Sequence, residues 1–249
     1  MIWPIAAAVV VSAAAIIGST SILLLGARAE RAAVWILSFA IGTLLGTASL
    51  HLLPEALEAR PADDVLLLFV AGLVLFIALE RAIRWRHAHL HENEQRHHAE
   101  ATAEVLLWGD ALHNFLDGIV LGVTFHVSTE LGLIAAVAVF AHEVPQEIGD
   151  FAVLLQSGMS RRKALLLNYL SAVVVIPGAA AAWMWSSAFE SAIDWLLPIA
   201  AAGFIYIALA DLVPSLHHSR GRWAAVAQIG LIIAGVAVIH LTGEALSPH

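Results

Sequence analysis

Two runs of polar residues interrupt long apolar stretches in the middle of the chain. The first is Gly109-Asp110-Ala111-Leu112-His113-Asn114-Phe115-Leu116-Asp117-Gly118; the second is His142-Glu143-Val144-Pro145-Gln146-Glu147-Ile148-Gly149-Asp150. At about 100° per residue, Asp110, His113, Asn114 and Asp117 share a helical arc of about 100°. His113 and Asp117 stand at i and i+4, one above the other. On the second helix, His142, Glu143, Gln146, Glu147 and Asp150 fall within about 140°. Facing one another, the two stripes would gather two imidazoles, up to five carboxylates and two amides around one cavity.

That donor set suits a divalent cation. Imidazole with carboxylate binds zinc, and also iron(II), manganese, cobalt or cadmium. Carboxylates bridge, so two ions fit the same stripes. Pro145 removes a helix hydrogen bond and exposes carbonyls. Gly118 and Gly149 permit close helix approach. Unwound backbone beside a buried site is a recurrent transporter device. A single buried His or Asp is most often a hydrogen-bonded packing device; nine such groups in two stripes are not.

The elements that hold these stripes follow from composition. Of 249 residues, 60% are hydrophobic and 13% charged, against about 25% charged in an ordinary soluble domain. This excludes a soluble enzyme, a nucleic-acid binder and a disordered chain, and predicts an all-α integral membrane protein. The absence of cysteine excludes disulfides, iron–sulfur clusters and thiolate metal sites. Three methionines argue against a thioether copper site. No prosthetic group and no nucleic-acid partner are expected; lipid bilayer and divalent metal ions are.

Eight stretches reach the ~20 apolar residues a spanning helix needs, at roughly 2–25, 32–53, 65–85, 103–125, 131–157, 164–188, 193–215 and 223–246. The runs are too long and unbroken for a β-barrel. The first lacks a basic start and reads as a spanning helix, not a signal peptide. Eleven of the twelve basic residues fall in the loops after helices 1, 3, 5 and 7, and Arg60 alone falls elsewhere. Basic loops stay cytoplasmic, which predicts both termini outside. The whole chain, 1–249, reads as one transmembrane domain. Its Ala-rich, Arg-over-Lys composition is that of a GC-rich bacterial genome, hence a cytoplasmic membrane.

At the two runs the chain resembles the ZIP (Zrt/Irt-like) family of metal transporters. The matching residues are His113-Asn114-Phe115-x-Asp117-Gly118 and His142-Glu143-x-Pro145-x-Glu147-x-Gly149-Asp150-Phe151. They look like the histidine-rich animal and plant branch and its bacterial counterparts. His51-Leu52-Leu53-Pro54-Glu55-Ala56, Asn168-Tyr169-Leu170-Ser171-Ala172 and Gly203-Phe204-Ile205-Tyr206-Ile207-Ala208-x-x-Asp211-Leu212-x-Pro214 extend the match over almost the whole chain. The resemblance implies eight helices in a 3+2+3 arrangement, with helices 1–3 and 6–8 as an inverted repeat around 4 and 5. The similar endings Leu52-Leu53-Pro54 and Leu212-Val213-Pro214 agree with that repeat.

The resemblance also implies a binuclear site. One ion would be held by His113, Asp117, His142 and Gln146, the other by Asn114, Asp117, Glu143 and Gln146. Gln146 stands where the branch usually has His, and its neutral amide is a weaker ligand; this implies either incomplete occupancy by two metals or a ligand role for Glu147 or Asp150. Ser215 follows Pro214 where Glu is common. Family transport runs towards the cytoplasm, and a homodimer is common. Zinc is the first expected cargo, with Fe2+, Mn2+ and Cd2+ behind it.

Further polar groups suggest a route. His51 and Glu55 lie towards the outer mouth, with Glu58, Asp63 and Asp64 as an acidic rim that would concentrate cations. Asp110 neighbours the central stripe. Asp211, His217 and His218 point to an exit. The inner loop 86–102 carries His87, His89, His91, His97 and His98, a tract able to bind metal. Two other functions remain open. His142-Glu143-Val144-Pro145-Gln146 is similar to the H-E-x-x-H of zinc metalloproteases, with Gln in the second ligand position. A metal sensor without flux would also use the stripes.

Overall fold

The computed structural model describes residues 2–90, 98–188, 190–216 and 222–246. All regular structure among them is helical. Eight helical spans follow one another. They are α1 (Ile2–Leu25); α2 (Ala27–Thr47), continued by a π-helical turn (Ala48–Leu52) and α3 (Leu53–Ala59); α4 (Ala62–Leu90); α5 (His98–Val127); and α6 (Thr129–Gln156). The last three are α7 (Arg161–Ala172) with α8 (Val175–Ala188); α9 (Glu190–Tyr206) with a second π turn (Ile207–Leu212) and α10 (Val213–Leu216); and α11 (Arg222–Leu246).

Six spans are long and apolar enough to cross a membrane. The fourth is not among them, because Asp110, His113, Asn114 and Asp117 lower the mean hydropathy of α5. Within this apolar scaffold, buried hydroxyls bond back to their own helix. Thr124 Oγ1, for instance, donates to the Val120 carbonyl at 2.8 Å.

Local chemistry sets the joints. Gly26, at φ 52°, turns α1 into α2 within one residue. Arg60 precedes Pro61 and is extended, as that position requires; its guanidinium lies 3.8 Å from the centre of the Trp195 ring. Ser128 caps α6, its Oγ accepting from the Leu131 N–H at 3.0 Å. The sixth span, expected as one helix, breaks at Val173-Val174. Pro177 cannot donate to the carbonyl four residues back, and the Val173 carbonyl accepts from Ile176 instead, at 3.0 Å. At Pro145 the reverse holds: α6 runs through the proline as helix, and the irregular backbone lies in the second, sixth and seventh spans.

The two π turns are alike. Each ends two residues before a proline, at Pro54 and Pro214. In each, the residue before the proline donates to the carbonyl five positions back, Leu53 to Ala48 and Val213 to Ala208. Packing repeats the same relation. The fifth span packs on the first and the fourth on the sixth; the second packs on the eighth and the seventh on the third. Exchanging spans 1–3 with 6–8, and 4 with 5, maps each pair onto the other. The third and eighth spans are equally peripheral, with 17% of their apolar windows buried against 61% for the second and fifth. These relations agree with the 3+2+3 arrangement that the resemblance implies.

Small residues set the closest approaches. A Cβ on Gly118 would strike the Val175 carbonyl of α8, and one on Gly42 the Ile232 carbonyl of α11. Gly149 differs from expectation: nothing lies within 4 Å of its would-be Cβ, because it faces a cavity.

Candidate metal centre

α5 and α6 bring their polar stripes face to face midway along their lengths. Val120, Leu121, Val123 and Phe125 of α5 join Leu131, Ala135 and Val139 of α6 in one apolar cluster. Leu106 and Leu107 join Ile148, Phe151 and Leu154 in another. The charged groups lie between these two clusters.

Four side chains converge there. Ligand atoms of His113, Asp117, His142 and Glu143 all lie within 4.8 Å of one another. His142 Nε2 is 3.0 Å from Asp117 Oδ2, 3.4 Å from Glu143 Oε1 and 3.1 Å from His113 Nε2. His113 Nε2 is 3.3 Å from Glu143 Oε1 and 3.7 Å from Asp117 Oδ2. Donors placed tetrahedrally at zinc distances of about 2.0–2.1 Å stand about 3.3 Å apart, and these separations bracket that edge. His142 Nδ1 is 3.1 Å from the Ala138 carbonyl, so the Nδ1–H donates there and Nε2 presents its lone pair to the centre.

The surroundings are acceptor-rich. Asp117 (both oxygens), Asn114 Oδ1, Glu143 Oε1 and Gln146 Oε1 are buried without a hydrogen-bond donor. Buried oxygens without donors are costly. A cation satisfies them together, which is the chemistry of a metal site.

The other expected residues distribute as follows. Asn114 is fully buried and donates from Nδ2 to Asp110 Oδ1 at 2.9 Å. Asp110 is 5% exposed and Glu147 fully buried, the latter accepting from Asn168 Nδ2. Gln146 and Asp150 are half-buried and line a cavity of about 510 Å3 that touches His113. His51 lies away from the centre, its Nε2 3.3 Å from the Ile239 carbonyl and its ring over Gly243 of α11. Glu55 is exposed. Asp211 falls in the second π turn. His217, His218 and residues 91–97 of the histidine tract lie outside the described residues.

Sequence reasoning quoted Asn168 only within a motif and missed its bond to Glu147. An amide inside an apolar helix was the available signal. It also missed the Ala138 carbonyl, which no side-chain pattern announces. The second imidazole beside His142 comes from another helix, 29 residues earlier, and not from the i+4 position that H-E-x-x-H uses.

A bundle of eight helical spans around a buried imidazole–carboxylate quartet defines a polytopic membrane protein with a candidate metal centre. A family profile described as "ZIP Zinc transporter" matches residues 1–104 and 84–243. The chain belongs to that family. Zinc transporter ZIP13 of Pongo abelii is 33% identical over 221 residues, covering 83% of this chain and 65% of its own length. Zinc transporter YKE4 of Saccharomyces cerevisiae is 31% identical over 255 residues, covering 87% and 72%. Zinc transporter ZIP6 of Homo sapiens is 40% identical over 137 residues, covering 53% and 18%. The chain thus spans just under two thirds of the ZIP13 relative and a much smaller part of ZIP6.

Proposed function

We propose that this protein carries divalent metal ions across a membrane, zinc first among them, through the His113–Asp117–His142–Glu143 centre. The observation that carries the reading is the quartet, its ligand atoms all within 4.8 Å of one another, enclosed midway along two helices and touched by a cavity. A carrier must bind its ion away from bulk water yet release it, and one-sided access to a buried site meets that need. Asn114, Asp117, Glu143 and Gln146 supply the oxygens for a second ion beside the first. Asp150 lines the cavity and would meet the ion as it leaves.

The cavity reaches Glu30 near the start of α2, Leu106 of α5 and Asp150 of α6. The basic loops cluster at that end. By the positive-inside rule it faces the cytoplasm, so this conformation is open inward and both termini lie outside. Movement towards the cytoplasm is the direction that the family resemblance implies, and the Ala-rich, Arg-over-Lys composition supports a bacterial cytoplasmic membrane. Iron(II), manganese and cadmium share the donor preference and are alternative cargoes.

Flux into proteoliposomes tests the reading. With a zinc indicator inside, the wild type is expected to give saturable uptake, and Asp117→Ala and Glu143→Ala are expected to abolish it. Zinc binding without flux in the wild type would overturn transport and favour a sensor.

A further inference from the structure

Beyond the quartet, α5, α6 and α7 enclose a second set of buried oxygens. Asp110, Glu147, Asn168 and Ser171 are each 5% exposed or less. Each carboxylate has one oxygen held by an amide. Asn114 Nδ2 donates to Asp110 Oδ1, and Asn168 Nδ2 donates to Glu147 Oε2. The remaining oxygens, Asp110 Oδ2, Glu147 Oε1 and Asn168 Oδ1, are buried with no donor.

Among the described residues, no Lys or Arg is among the groups that act most strongly on either carboxylate. The groups that act most strongly on Glu147 are Asp110, Glu143, Asp150 and Asn168. Those that act most on Asp110 are Glu143, Ser171, His113 and Asn114. From α1, Gly18 packs directly against the Glu147 Cβ and brings no polar group. Two carboxylates and an amide carbonyl, pinned by amides, form an acceptor-rich pocket in which the Ser171 hydroxyl is the one further donor that acts on Asp110. Such a set is strongly unfavourable empty and well matched to a positive ion.

We propose that Asp110, Glu147 and Asn168 form a separate, all-oxygen site for a hard divalent cation. The Ser171 hydroxyl lies beside Asp110 and completes the set. The donors are oxygen alone, which suits Mn2+, Ca2+ or Mg2+ better than the imidazole-bearing quartet does. Asp110 also lines the cavity, so the ion enters past it. Glu143 is common to the surroundings of both sites, so occupancy of one affects the other through charge.

Mn2+ is the probe, added to the purified full chain in lipid nanodiscs. Bound ions are counted by equilibrium dialysis, and nitrogen coordination is read by electron–nuclear double resonance. Mn2+ held by imidazole couples to 14N; Mn2+ held by oxygen alone does not. The wild type is expected to hold both kinds. A second ion beside the quartet would also be oxygen-held, through Asn114, Asp117, Glu143 and Gln146, so the variants separate it from this site. Glu147→Gln is expected to lose one uncoupled ion, with at least tenfold weaker binding, and to keep the coupled one. His113→Ala with Asp117→Ala is expected to lose the coupled ion and to keep the uncoupled ion that Glu147→Gln removes. The proposal is overturned if the wild type shows only 14N-coupled Mn2+, or if Glu147→Gln leaves the number of uncoupled ions unchanged. The count does not depend on flux: a protein that bound Mn2+ here and moved no metal would lose the transport reading and keep this site.

Discussion

The two nitrogens of His142 have separate partners, and this division suits the residue to the ligand role proposed for it. Nδ1 is committed to the Ala138 carbonyl and Nε2 to the centre. A proton on Nε2 would compete with the ion for the same lone pair, as it would at His113. Binding is therefore favoured as pH rises and lost as pH falls. Zinc affinity by calorimetry is expected to drop more than tenfold from about pH 7.5 to about pH 5.5. His142→Ala is expected to weaken zinc binding at about pH 7.5 and to flatten that pH dependence. Equal affinities at the two pH values in the wild type would remove the imidazoles from the ligand set. The proposed ligand residues were legible because each is an ionisable or amide group in an otherwise apolar helix. The distribution of Asp110 and Glu147 to a set of their own was not, because helical arcs place them on the same stripes as His113 and His142.

Helices, rather than residues, explain the glycines. Gly118 and Gly149 occupy similar places in their motifs, and sequence assigned both to close packing. Only Gly118 meets another backbone, at the Val175 carbonyl just beyond the break in the sixth span. A side chain there must push α8 away from α5. Gly118→Val is expected to destabilise the bundle by ~1–3 kcal/mol, the usual cost of overpacking, and to lower the detergent melting temperature clearly. Gly149→Ala, with open space at its Cβ, is expected to melt with the wild type. If both variants melted alike, the α5–α8 approach would be looser than described. The π turns belong to this scale too. Pro54 and Pro214 are visible in the sequence, but the shift to five-back hydrogen bonding depends on how each span is held by its neighbours.

At the scale of the molecule, access is asymmetric. The cavity reaches His113 from the end that holds Glu30 and Asp150, while an apolar cluster closes the other end. The chain has no cysteine, so single cysteines can report on this directly. Ala33→Cys and Leu112→Cys, both on the cavity wall, are expected to react with a water-soluble thiol reagent. Val123→Cys and Ala135→Cys, both buried in the apolar cluster, are expected to react at least tenfold more slowly. Zinc should protect Leu112→Cys, which adjoins His113. Equal rates at all four positions would mean that the closed end is open to water.

Composition and periodicity alone determined that this chain is an all-helical membrane protein, and they placed its candidate ligands in two stripes on the fourth and fifth spans. Both follow from local physics: apolar length decides what crosses a bilayer, and about 100° per residue decides which side chains share a face. Tertiary structure decided which members of the stripes meet. It joined His113, Asp117, His142 and Glu143 across two helices and paired Asn168 with Glu147 from a third. It turned Gly149 towards a cavity and left His51 against α11. These outcomes depend on how spans distant in sequence rotate and approach one another. Packing between helices fixes that geometry, and no single helix encodes it.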